Sequence, residues 1–234
     1  MEMHVIFVLT VLNVVQCREM HLSCKQVREF VDGHNIRRAL IAEGKVPGHP
    51  AASNMNKLVW DEELHHKAAK WATRKESRDV LRSHNPDKTI PSGRFITGEN
   101  LYWYSTTDPQ YKIKPESALD AWFSEYKNFT FAPLRSDHFT PGHAEVGHYT
   151  QMVWSDTRYV GCAISRNLKE GWHHFFVVCN YGPTGNFLGE KPYKTRAGAG
   201  GSLICNHEGC SRPYGKKCSS SSHPIKTYNL FTGQ

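Results

Sequence analysis

Seven cysteines constrain this 234-residue chain more than any other feature: Cys17, Cys24, Cys162, Cys179, Cys205, Cys210 and Cys218. In an oxidising compartment thiols pair, and an odd number leaves one over. The N-terminus accounts for the surplus. Val5 to Val15 form an eleven-residue apolar run, too short for the ~20 residues of a membrane-spanning helix but of signal-peptide length. Val15 and Cys17 stand at the small-residue positions for cleavage after Cys17. Residues 1–17 are therefore expected to be a signal peptide, whose removal leaves six cysteines and fifteen formal pairings. No other stretch reaches transmembrane length, so a secreted, extracellular protein without a transmembrane segment is expected. Secretion also makes Asn128, in Asn128-Phe129-Thr130, a glycosylation acceptor.

The charge is unevenly placed. The formal net charge is +7. Between Lys191 and Lys226 seven Lys and Arg face a single Glu, so most of the excess lies in the tail. No nucleic-acid-binding motif accompanies it, and secretion points to a heparin-like glycan or an anionic surface as the tail's partner, not to nucleic acid. The alternative is a merely solvated basic tail.

Local patterns give helices first and strands later. Ser23 and Gln26 make a capping box before Val27, Phe30, Val31, His34 and Ile41, which predicts a helix over about 24–43. Asp61 caps a second helix carrying Leu64, Ala68, Trp71 and Ala72. Pro115 opens a third, with Leu119, Trp122, Phe123 and Tyr126 on one face. A short fourth runs from about Ala144 to Trp154. Arg158–Ser165 and Trp172–Tyr181 predict two strands of an antiparallel hairpin around residues 167–171. Tyr102-Trp103-Tyr104 is expected in a turn packed against a cleft. This order argues for an α+β fold around a short sheet. From Glu190 onward the texture is Lys, Gly and Ser with three close cysteines, a tail without a core of its own, and the last sixteen residues are expected to be mobile.

Two longer blocks are more specific. Gly147-His148-Tyr149-Thr150-Gln151-Met152-Val153-Trp154 and Phe176-Val177-Val178-Cys179-Asn180-Tyr181-Gly182-Pro183-Thr184-Gly185-Asn186-Phe187 resemble the two signature motifs of the CAP superfamily, which joins cysteine-rich secretory proteins, antigen 5 venom allergens and plant pathogenesis-related proteins. His34-Asn35-Ile36-Arg37, Gly98-Glu99-Asn100-Leu101 and Trp122-Phe123-Ser124-Glu125 resemble further family segments in the expected order. The chain looks most like an antigen 5 or venom-allergen-like protein. The resemblance implies a three-layer α-β-α sandwich with a mainly antiparallel sheet over residues 24–195, followed by a cysteine-containing, hinge-like tail at 196–234. The ion-channel module of cysteine-rich secretory proteins needs many more cysteines than the tail holds, so channel block is not implied.

In the family's central cleft the resemblance places two histidines and two glutamates, here His84, Glu99, Glu125 and His148. His65 and His66 are nearby alternatives to His84. Such a set offers nitrogen and oxygen donors suited to zinc or another divalent metal. An equally consistent picture pairs each histidine with a glutamate and uses no metal, so no cofactor is required. Catalytic roles for the same four residues would apply only to an enzyme, and the family has no generally accepted reaction. The preferred expectation is a non-enzymatic protein that binds a sterol, a fatty acid or another small apolar ligand, or an extracellular macromolecule, in a venom, salivary or defence role. The alternative is a metal-dependent hydrolase with a glutamate as general base. Resemblance and the predicted hairpin together pair Cys162 with Cys179; the partners of Cys24, Cys205, Cys210 and Cys218 stay open, although a link from Cys24 to the tail would tie both ends of the sandwich together.

Overall fold

The computed structural model describes residues 18–74, 83–198 and 200–218; the expected signal segment, 1–17, and the last sixteen residues, 219–234, lie outside the described residues. Helix α1 (Cys24–Ala42) begins at the capping box: the Ser23 hydroxyl accepts from the Gln26 N–H and the Gln26 side chain accepts from the Ser23 N–H at 3.1 Å. Helix α2 (Glu62–Ala72) is capped by the Asp61 carboxylate, which accepts from the Leu64 N–H at 3.0 Å. Helix α3 (Pro115–Ser124) opens on its proline and buries Leu119, Trp122 and Phe123. Tyr126, expected on that helix, falls in a 3-10 turn over Glu125–Asn128. Helix α4 is six residues, Gly147–Met152, shorter than expected at both ends.

The strands are β1 (Arg18–Met20), β2 (Val59–Trp60), β3 (Gly98–Thr106), β4 (Tyr159–Lys169) and β5 (Trp172–Gly182). β4 and β5 form the expected hairpin, but more tightly. Lys169 pairs with Trp172, leaving only Glu170 and Gly171 in the turn at φ 51° and 79°. Two successive left-handed residues match the right-handed twist of the strands they join. The larger correction concerns Tyr102-Trp103-Tyr104, which is not a turn: it lies in β3, paired antiparallel with β5 from Gly98↔Tyr181 to Thr106↔His173. The aromatic run favours a pleated, half-buried surface. Leu101 packs against α2, and Trp103, on the same face, stacks on Phe176 at 5.1 Å.

The sheet order is β1-β4-β5-β3, with β2 beside β4 in the one parallel pairing of strands among the described residues. α2 covers one face, setting Ala68, Ala69 and Ala72 against Leu101, Ala163, Phe176 and Val178. It lies so close that a Cβ on Gly161 would stand 2.2 Å from the His65 nitrogen and 2.6 Å from the Asp61 oxygen. Only glycine fits there. α1, α3 and α4 cover the other face with Phe30, Val31, Leu119, Trp122 and Tyr149 against Ile164, Val177 and Tyr181. The result is a three-layer α-β-α sandwich in which β4 and β5 are apolar on both sides. His34 is wholly buried in the second layer, its Nδ1 2.7 Å from the Phe30 carbonyl and its Nε2 2.8 Å from the Tyr181 hydroxyl. Burial pushes its pKa down to about 3.

The described tail, 196–218, has no separate core and runs along the body. The Gly201 N–H donates to Ala42, the Lys57 N–H to Ile204 and the Trp60 N–H to Pro213. Cys162 is bonded to Cys179 between the hairpin strands, Cys24 to Cys218, and Cys205 to Cys210. Their sequence separations of 17, 194 and 5 residues correspond to about 3, 5 and 2 kcal/mol of chain-entropy stabilisation.

Two outcomes follow from this packing. Cys24→Ser with Cys218→Ser lowers unfolding free energy by several kcal/mol, at most about 5, measured by urea denaturation. Acid weakens the fold through His34: its pKa is about 3 when folded against the 6.5 of an ordinary histidine, so over that window the unfolded chain binds more protons. Stability is therefore lost as pH falls from 6.5 towards 3, by up to about 1.4 kcal/mol per pH unit. His34→Gln makes the acid limb of a pH series of denaturation curves shallower by that amount.

Candidate functional site

The cleft is assembled from two of the sandwich's layers. On the α3 side, the Trp122 Nε1–H donates to the Leu101 carbonyl at 2.9 Å and locks α3 onto β3. Three residues later the chain tightens into its 3-10 turn and carries Glu125 beneath the start of α4, where it is 8% exposed. Its Oε2 accepts from the backbone N–H groups of His148 and Tyr149, both at 3.0 Å, and its Oε1 accepts from His148 Nδ1 at 2.6 Å. One carboxylate thus satisfies orphan donors of the helix and orients the imidazole. The Trp122 ring lies nearly parallel to that imidazole at 6.2 Å.

The second pair comes from β3. Glu99 accepts at Oε1 from His84 Nδ1 and from the Asn85 N–H, both at 2.9 Å, and at Oε2 from Asn180 Nδ2 at 3.3 Å. Carboxylates only accept, so in both pairs Nδ1 carries a proton, and in the neutral imidazole Nε2 then keeps its lone pair. Among the described residues no hydrogen bond reaches Nε2 of His84 or His148.

Both imidazoles line one cleft of about 450 Å³, with Glu99, Asn100 and the loop running from His138 to Gly147. Glu125 stands behind His148 and does not line it. The four expected residues come together as two pairs, not as one shell of four donors. Among the described residues, Glu125, Glu145 and His148 have donor atoms within 4.8 Å of one another, while His84 and Glu99 stand outside that group. His138, His143 and Glu145 are wall residues that sequence reasoning missed; their only signal was a local density of His and Glu just before Gly147. His65 is elsewhere, its Nδ1 2.8 Å from the Cys162 carbonyl beneath α2.

The two long sequence blocks meet here. Gln151 Oε1 accepts from the Gly185 N–H at 3.0 Å, and Asn186 Nδ2 donates to the Gly147 carbonyl at 2.9 Å. Gly98 is needed because a Cβ there would fall 2.0 Å from Gln151 Oε1. Asn100 Nδ2 donates to the His148 carbonyl at 3.0 Å and the Tyr181 hydroxyl at 3.1 Å, joining the cleft to the buried His34. Outside the cleft, Asn128 and Thr130 are exposed at the end of the 3-10 turn, with Phe129 buried between them.

Residues 31–181 match the profile of the cysteine-rich secretory protein family, CAP. Over 175 residues the sequence is 35% identical to venom allergen 5 of Rhynchium brunneum, covering 73% of each chain. The fold is similar to the crystal structure of NaASP2 with Zn2+, at 28% identity and TM-score 0.56 over 77% of this chain and 90% of that one. It is similar also to venom allergen-like protein 4 of Schistosoma mansoni, at 28% identity and TM-score 0.54 over 75% and 97%. By family profile, sequence identity and three-layer architecture, this venom-allergen-like chain belongs to the cysteine-rich secretory protein (CAP) family.

Proposed function

We propose that this is a secreted, non-enzymatic binding protein of the venom, salivary or defence type, whose cleft takes a divalent cation and which captures a small apolar ligand, such as a sterol or fatty acid, or an extracellular macromolecule. One observation carries the cation reading: each cleft imidazole gives its Nδ1 proton to a carboxylate and keeps Nε2 free. That is how metal-binding histidines are commonly oriented. His84 and His148 would hold the ion, and Glu99 and Glu125 would fix their tautomers from behind. A bound ion supplies a fixed positive charge with open positions for water or a ligand. A similar structure that contains Zn2+ supports the choice of metal.

Nothing in the cleft favours hydrolysis. A general base needs a free carboxylate oxygen near an attacking water, and Glu99 and Glu125 already accept from imidazole, backbone and amide donors. Three disulfides suit an oxidising compartment. The exposure of Asn128 supports a glycan there, and the exposure of the tail residues Arg212, Lys216 and Lys217 supports a heparin-like glycan or an anionic surface as the tail's partner.

Titration calorimetry with Zn2+ is expected to find a single cleft site that His148→Ala abolishes and Glu125→Gln weakens by about 10- to 100-fold; a wild-type chain that takes up no zinc ends the cation reading. For the apolar ligand, saturable binding of a labelled sterol or fatty acid, unchanged by chelator, is expected. A blank across both classes removes that part of the proposal.

A further inference from the structure

The tail holds a second donor cluster, set around the Cys205–Cys210 disulfide and apart from the cleft. In Cys205-Asn206-His207-Glu208-Gly209-Cys210, donor atoms of Cys205, His207 and Cys210 lie within 4.8 Å of one another. Both ring nitrogens of His207 are shielded from solvent and neither makes a well-formed hydrogen bond, although the Arg158 backbone stands close enough to bond the ring weakly. Tyr159 meets the ring edge-on at 5.5 Å. Polar groups buried in this way cost roughly 1–3 kcal/mol and require a reason.

Three properties set the Cys205–Cys210 bond apart. Its separation of 5 residues is the shortest of the three, so it contributes least to the fold. It is also the one of these three with neither cysteine buried: Cys205 and Cys210 are both at least partly exposed, whereas Cys162 and Cys179 are fully buried and Cys218, bonded to half-buried Cys24, is 7% exposed. Finally, the loop's ends are held without it. The Ile204 N–H donates to Met55 and its carbonyl accepts from Lys57, the Pro213 carbonyl accepts from Trp60, and Cys218 is tied to Cys24. Opening the bond would leave the two sulfurs close together.

We propose that this loop is a masked site for a thiophilic metal ion, zinc first: once an external dithiol opens Cys205–Cys210, both sulfurs and one ring nitrogen of His207 become its ligands. In the opening step the dithiol gives up two electrons and becomes its own disulfide, the Cys205–Cys210 bond breaks, and each sulfur takes up a proton. Metal binding then releases those two protons. Two thiolates, one neutral imidazole and a 2+ ion sum to no net charge, and a water completes the tetrahedron. Soft thiolates select zinc over calcium or magnesium. In the disulfide form both sulfurs are engaged and His207 alone is too few ligands. The site is independent of the cleft.

The test uses the full chain carrying His148→Ala, so that the cleft cannot contribute. A limited amount of a phosphine reductant is applied, free thiols are mapped by alkylation and mass spectrometry, and Zn2+ uptake is read by competition with a chromogenic chelator. The expected result is one zinc per chain only after reduction, with Cys205 and Cys210 the first thiols freed, and a thiolate-to-cobalt charge-transfer band when Co2+ replaces Zn2+. His207→Ala, which leaves the disulfide in place, should free the same thiols and lose about tenfold or more in zinc affinity. Cys205→Ser with Cys210→Ser should take up none. Zinc uptake that is equal before and after reduction, prior opening of another disulfide, or full affinity in His207→Ala overturns the proposal.

Discussion

A buried guanidinium holds the back of the cleft in place. Arg38, wholly enclosed on α1, donates to the carbonyls of Asn56, Met152, Trp154, Ser155 and Thr157 at 2.8 to 3.2 Å. The end of α4 and the turn after it present orphan carbonyls and the negative end of the helix dipole. A five-donor planar fork satisfies them, which a lysine could not. The charge is costly to bury, and its pKa is lowered to about 9 by that burial, yet it stays protonated at neutral pH. The neighbouring residues on α1 fasten other elements. Asn35 exchanges hydrogen bonds with both backbone groups of Leu58, as a strand would. Arg37 donates to Glu116 at 2.6 Å and Asp120 at 2.5 Å and fastens α3. Since the turn that follows α3 carries Glu125 and α4 carries His148, the geometry of that pair is set from α1.

Features that depend on neighbours in sequence were legible. Ser23 with Gln26, Asp61 with Leu64 and the proline at the start of α3 are contacts within four residues, and each helix begins where its cap predicts. The hairpin was visible because β-branched and aromatic residues fill both strands. Its turn was misjudged, because Asn167 and Lys169 look like loop residues but lie at the exposed end of β4. The pairing of each cleft histidine with a glutamate was foreseen as one of two pictures, through the resemblance of short segments. Spacing alone could not have joined Glu125 to His148, 23 residues on.

Long-range partnerships were less readable. Arg38 looks like an ordinary basic residue after the His34 to Arg37 segment, because four of its five acceptors are 114 to 119 residues away. β3 was hidden because Gly98, Glu99 and Asn100 are poor strand formers. Each answers to a tertiary demand instead: Gly98 makes room for Gln151, Glu99 holds His84 and Asn100 holds the His148 carbonyl. The tail pairing was equally out of reach. Cys24 meets Cys218 because backbone bonds at Gly201, Ile204 and Pro213 lead the tail back along the body, and composition does not encode that path.

The same commitments decide what the cleft can do. Glu99 belongs to β3 in the sheet and Glu125 to the turn after α3, so the two pairs reach the cleft from different layers. Within each pair the carboxylate is saturated by donors that belong to the fold, and moving a proton onto it would break contacts that position His84, Asn85, His148 and the start of α4. A base that must keep its hydrogen bonds to hold a wall in place is a poor one to spend on water. The imidazoles carry no such burden at Nε2. In their neutral form they are acceptors oriented in advance, with little rotational freedom left to lose when a cation or a hydrogen-bond donor arrives. Binding at Nε2 therefore draws on atoms that the fold leaves free, whereas a proton taken up by Glu99 or Glu125 would draw on carboxylates that the fold has already used.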